Sequence, residues 1–124
     1  MKTTRTTPLS PTPTSNLTAL HLALQAASLA IAVARSAPPA LRSVAEQLIR
    51  AATSVPANLA EGAGRWGQDR RHHWRIAYAS DLEADTHLRL LAAAGAGDAA
   101  STAEALALLD RVRALTWRLL HPRP

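Results

Sequence analysis

Ser80, Glu83 and His87 recur at three- and four-residue spacing, which on a helix aligns a hydroxyl, a carboxylate and an imidazole along one side. These are the groups of a nucleophilic centre, in which a base activates a hydroxyl and a third group orients the base. Side chains at such spacings on one helix stand beside one another rather than converging, and no oxyanion-binding loop is evident. The line is therefore read as a buried, hydrogen-bonded network, because polar groups on a core-facing line need partners. Glu61 is a candidate member. Convergence of Glu61, Glu83 and His87 on a substrate is the enzymatic alternative, and the reading preferred is a chain with no catalytic centre.

A second constellation is cationic. Arg65, Arg70, Arg71 and Arg75 are interleaved with Trp66, Trp74, His72 and His73, against the single acid Asp69. Guanidinium groups match phosphate with a planar, bidentate fork, and indoles offer a surface on which unpaired bases stack. The candidate nucleic-acid contacts are Arg50, Arg65, Arg70, Arg71, Arg75 and Trp66. The alternative for one isolated subunit is a solvated loop and helix start whose tryptophans pack on a bundle. In a ring of identical subunits the patch would repeat and its field would grow.

A third stretch, Ser54-Val-Pro-Ala-Asn-Leu-Ala-Glu-Gly62, places Ser54, Pro56, Asn58, Glu61 and Gly62 within a short span. Bulk helix stability would not select a proline there. Ser54, Asn58 and Glu61 share one helical face, which could bond another helix or another subunit. Alternatively, Ser54 and Asn58 only satisfy carbonyls freed by the proline.

Other chemistries find little support. There is no cysteine among the 124 residues, which removes disulfides, thiolate metal sites and cysteine nucleophiles. A di-iron bundle needs a glutamate from each of two helices and Glu-x-x-His from the other two. The first helix has no acid, and Asp69-x-x-His72 and Glu83-x-x-x-His87 are the nearest matches. No metal and no cofactor are expected. The formal charge is +5, with Lys2 the one lysine among 14 basic residues. Phosphate recognition and the codon bias of a GC-rich genome would each produce that arginine excess.

The elements that must position these groups are helices. Residues 1–14 are Thr/Pro-rich and read as a disordered tail, leaving residues 15–124 as one domain. The first helix should run from Ser15 to about Arg35 on a stripe of Leu17, Leu20, Leu24, Ala27, Ile31 and Ala34, with Leu22, Leu29 and Val33 off it. Apolar on more than one side, it needs more than one partner. A signal peptide or membrane segment is the competing reading of this uncharged stretch; a helix shared between core and subunit interface, in a cytoplasmic protein, explains the same residues.

The second helix follows Pro38 and Pro39 with a stripe of Leu41, Val44, Leu48, Ala52, Val55 and Leu59, and a kink is expected at Pro56. The third spans about Asp69 to the residue before Gly95. The fourth should start with a capping box, Ser101 with Glu104, and bury Ala105, Leu108, Val112, Leu115 and Leu119. Four such helices with short connections predict an all-α, antiparallel up-down four-helix bundle, its second helix kinked at Pro56.

The run Gln47-Leu-Ile-Arg-Ala-Ala-Thr-Ser-Val-Pro-Ala-Asn-Leu-Ala-Glu-Gly-Ala-Gly-Arg65 resembles the signature of the bacterial four-helix-bundle proteins encoded in intervening sequences of the 23S ribosomal RNA gene. Ala77, Ser80 and Glu83 continue the likeness, which covers about Leu17 to Leu120. The resemblance implies an antiparallel bundle assembled as a homopentamer. It also implies kinship with the basic accessory proteins of diversity-generating retroelements, which bind nucleic acid and a reverse transcriptase. The implied partners are further copies of the chain and RNA or DNA, with a reverse transcriptase or a purely structural ring as the alternative. Ala79 stands where the family usually has glycine. Aliphatic residues replace several of its aromatics, and the chain is less basic than the retroelement proteins.

Overall fold

In a computed structural model, which describes residues 14–123 and the side chains of residues 16–123, the chain forms four helices: α1 (Thr14–Arg35), α2 (Arg42–Ala63), α3 (Gly67–Ala93) and α4 (Ala99–Leu120). The expected tail falls outside the described residues except for Thr14, which already belongs to α1. Each helix packs on its neighbours in the chain, α4 closes back on α1, and the diagonal pair α1 and α3 barely touch. This is an up-down four-helix bundle.

α1 buries a different face from the one its leucines suggest. Ala19, Ala23, Ala26, Ala30 and Val33 are buried together with Ala27 and Ala34 of the expected stripe, whereas its Leu17 and Leu24 are 51% and 52% exposed. A helix that is apolar all round carries no amphipathic signal to choose a face, and packing chooses the alanines because their small side chains let α2 and α4 approach closely. The segment Asn16–Arg35 is long and apolar enough to cross a membrane, with mean hydropathy 1.8. Here its alanine face lies against α2 and α4.

α2 follows its predicted stripe, with Leu48, Ala52, Val55 and Leu59 buried and Arg42, Glu46 and Arg50 exposed. A 3₁₀ turn at Pro39–Leu41 leads straight into it. The helix continues without a break through Pro56, whose side chain is buried. The start of α4 differs from expectation. Asp98, not Ser101, is the cap, its carboxylate accepting from the Ser101 backbone N–H at 2.8 Å. Ser101 stands at the third helical position, and Asp98 satisfies the same type of orphan donor one turn earlier. The buried face of α4 is correspondingly turned to Thr102, Ala105, Leu109, Val112, Thr116 and Leu119, with Leu108 and Leu115 only partly covered.

The core divides into two apolar clusters. One gathers Ala26–Ala34 with Leu48, Ala52, Ala84, Leu88, Leu91, Ala105 and Leu109. The other gathers Ala19 and Ala23 with Val55, Leu59, Trp74, Ala77, Val112 and Leu119. Between them lie Ser54 on α2, Ser80 and Asp81 on α3 and Arg113 on α4, so a polar layer crosses the middle of the bundle.

The second cluster depends on Gly62. A Cβ there would stand 2.6 Å from two atoms of the Trp74 indole and 3.1 Å from the Arg70 carbonyl oxygen. Gly62→Ala should therefore destabilise the fold by about 1–3 kcal/mol, although alanine is by itself about 1 kcal/mol better than glycine in a helix. Gly64→Ala meets only an ordinary 3.6 Å contact and should leave the urea midpoint almost unchanged. Parallel denaturation curves for the two variants check this.

Candidate nucleic-acid interface

The polar residues of the Ser54–Gly62 stretch join α2 to α3. The Ser54 and Ser80 hydroxyls lie 2.8 Å apart. The Asn58 amide donates to the Ser54 hydroxyl and to its carbonyl, each at 3.0 Å. On its other side, the Asn58 side-chain oxygen is 3.0 Å from Nδ1 of His73. The chain Ser80–Ser54–Asn58–His73 thus bonds one helix to the next rather than serving only carbonyls freed by Pro56.

The expected Ser80–Glu83–His87 network does not form as one unit. The Ser80 hydroxyl is taken by Ser54, and Glu83 is exposed, 3.6 Å from Nε2 of His87. The hydrogen bond between nucleophile and base that hydroxyl activation uses does not join Ser80 to His87. Glu61 also departs from expectation. It points outward and binds Arg65 through Nε at 3.0 Å and Nη2 at 2.7 Å. The hydrogen bond and charge of Arg65 hold its carboxyl below the ordinary glutamate range.

The arginines separate into two groups. Arg65 bridges Glu61 and Asp69, the latter at 2.6 Å. Arg70 is buried and spent on the end of α2, its Nε donating to the carbonyls of Gly62 and Arg65 at 3.1 and 2.7 Å and Nη2 to Ala63 at 3.2 Å. Its guanidinium also sits 5.4 Å from the Trp74 ring centroid, a cation–π distance. Arg70 is thus corrected from a nucleic-acid contact to a helix cap, because the last carbonyls of α2 lack intrahelical donors. Arg71 is half-buried and caps α4 through a 2.8 Å bond to the Leu120 carbonyl. Arg50 and Arg75 stay exposed with no ion pair among the described residues. Trp66 is 64% exposed at the extended residue preceding α3.

One charged group escaped the sequence reading. Asp81 is fully buried, with Oδ1 2.6 Å from Nη1 of Arg113 and Oδ2 unbonded. Burial pushes its carboxyl up to about 7, against the lowering by Arg113. Arg113 loses some proton affinity to burial but gains more from Asp81, Asp85 and Asp110. The guanidinium therefore stays charged, held also by Asp85 and Asp110, while Asp81 titrates near neutrality. A sequence cue existed: Asp81 lies three residues before the buried Ala84 and four after the buried Ala77, on the core side of the α3 repeat.

The family model of the 23S rRNA-intervening sequence proteins matches residues 15–118. The chain belongs to this family. The matched span takes in all four helices except the extreme ends, and with them the Ser54–Asn58–Ser80 bonds and the Gly62–Trp74 contact. No curated protein matches the chain.

Two predictions follow from these bonds. Arg70→Met should cost roughly 1–3 kcal/mol by removing the buried guanidinium's bonds to the Gly62, Ala63 and Arg65 carbonyls, whereas Glu61→Ala, which breaks a surface pair, should cost about 0–1 kcal/mol; thermal melts of both variants measure the contrast. The Asp81 carboxyl, raised when folded, binds its proton more tightly in the native state. Its stabilising contribution is thus present below about pH 4 and is lost as pH rises to about 7. The stability of wild type relative to Asp81→Asn should decline across that window and level off above it, as urea unfolding at each pH would record.

Proposed function

We infer that this protein is a non-enzymatic, cytoplasmic homo-oligomer, a pentameric ring, that binds RNA or DNA through its arginines. The observation that carries the reading is an imbalance of free charge. Five of the nine acids, Glu61, Asp69, Asp81, Asp85 and Asp110, are held by just Arg65, Arg89 and Arg113. That leaves Arg35, Arg42, Arg50, Arg75, Arg111, Arg118 and Arg123 exposed with no ion pair among the described residues. A surplus of unneutralised guanidinium groups attracts a phosphate backbone and displaces its counterions.

The ring reading is supported by uncovered apolar side chains on opposite sides of the bundle. Leu17 and Leu24 project from α1, and Leu82 and Leu90 from α3, the helix diagonal to it. Two different patches on opposite sides pair head to tail, and head-to-tail contacts close into rings when the rotation allows. Hydrogen-bonding of the Ser80 hydroxyl to Ser54, away from His87, supports the non-enzymatic part.

The tests are a mass measurement and a salt titration. Light scattering should give a multiple of the 13.2 kDa chain, and Leu17→Glu with Leu24→Glu should reduce it toward one chain without loss of helical signal. Affinity for a generic single-stranded RNA should fall linearly on a log–log plot against salt, by about 0.7 per phosphate neutralised. Arg50→Glu with Arg75→Glu should weaken binding and flatten that slope. A wild type that runs as a monomer removes the ring. Absence of binding at low salt, or affinity indifferent to salt, removes the nucleic-acid reading.

A further inference from the structure

Tyr78 on α3 and Asp110, Arg113, Ala114, Trp117 and Arg118 on α4 line an open groove of about 350 Å³ along the seam between the two helices. Small-ligand sites run from roughly 300 to 1,000 Å³, so the groove has room for one planar ring. Its most distinctive wall is Trp117. The His121 ring stacks on this indole with centroids 4.1 Å apart and planes 23° from parallel. His121 is itself held by a 2.8 Å bond between its Nδ1 and the Trp117 carbonyl. The indole is thus pinned in place while 50% of its surface remains exposed.

The charges around it are arranged for an anion with a polar ring attached. Arg118 borders the groove, exposed and without an ion pair among the described residues. Arg75 lies one turn from Tyr78 on the same side of α3. Since Arg71, a further turn along, bonds the Leu120 carbonyl, antiparallel register brings Arg75 level with Trp117 and Arg118. Arg113 is neutralised by its aspartates. Asp110 keeps an acceptor within the groove, and amino groups of bases are donors.

We propose that this groove takes an unpaired nucleobase of a single-stranded nucleic acid, stacked on Trp117, with Arg75 and Arg118 on the flanking phosphates. The proposal rests on the nucleic-acid reading above and adds to it a preference for single strands. A base in a duplex is covered on both faces and reaches the indole only after being unpaired and flipped out.

Fluorescence anisotropy at low salt, with one labelled oligonucleotide offered single-stranded and as its duplex, tests it. Wild type should bind the single strand more tightly. Trp117→Ala should weaken single-strand binding about tenfold to a hundredfold and leave duplex binding within error. Trp117→Phe should recover part of the loss, and Arg118→Glu should weaken both forms. Light scattering and circular dichroism on each variant accompany the titrations. Equal single-strand affinity in wild type and Trp117→Ala overturns the stacking site while salt-dependent binding keeps the broader reading. A duplex bound as tightly as the single strand also overturns it. Dissociation of the assembly by Trp117→Ala overturns it by assigning the indole to a subunit contact. If wild type binds neither form, the broader reading and this proposal fall together.

Discussion

The close approach of α2 and α3 at Gly62 is the constraint on which the lower half of the bundle rests. Only hydrogen can occupy the α carbon's outer position there, because the Trp74 indole fills the space a methyl group would take. That approach lets Arg70 reach back across the turn to the carbonyls of Gly62, Ala63 and Arg65. These bonds add side-chain donors to carbonyls that a three-residue connection between two long helices leaves short of intrahelical partners. Glycine, tryptophan and arginine thus act together. The glycine admits the ring, the ring carries the guanidinium on its face, and the guanidinium closes the helix end.

Above this contact the bundle is organised by its polar middle. An apolar core made largely of alanine and leucine specifies register weakly, since one alanine fits against a neighbour much as another does. The Ser54–Ser80 bond and the Asp81–Arg113 pair sit between the two apolar clusters. A slip of one turn at either seam would strand a buried hydroxyl or charge, which costs far more than a displaced methyl group. Buried polar groups can fix register in this way at some expense in stability. The carboxyl of Asp81, driven toward its neutral form by burial and retaining one unbonded oxygen, shows that expense directly.

What the sequence disclosed follows the same physics. α2 was legible because leucine and valine alternate there with arginine and glutamate, so only one face can be buried. α1 was not, since leucine and alanine are both apolar, and the choice between them is made by interhelical distance, which no periodicity encodes. The serines and Asn58 were recognisable as a bonding face. Their partner His73 was not, because its pairing depends on how α2 and α3 are turned against each other. Asp98 was passed over for Ser101 because two potential caps one turn apart look alike until the helix has a fixed first residue.

The arginines show why a basic run is a poor guide to a binding surface. Arg65, Arg70, Arg71 and Arg75 are alike in sequence, yet one bridges two carboxylates, two close helix ends and one faces solvent. The difference arises from position relative to helix termini, where bare carbonyls held within reach by the fold compete with any phosphate for guanidinium donors. Residues in mid-helix have no such competitor: the intrahelical ladder has already taken the carbonyls beside them. Free cations should therefore be sought along helix bodies, at positions such as Arg75 and Arg111. They are also found in a last turn whose carbonyls other groups serve, as the His121 backbone N–H and ring serve Trp117 and Arg118. On that reasoning the surface charge of this bundle is spread over its helices rather than gathered at the arginine-rich turn that first draws attention.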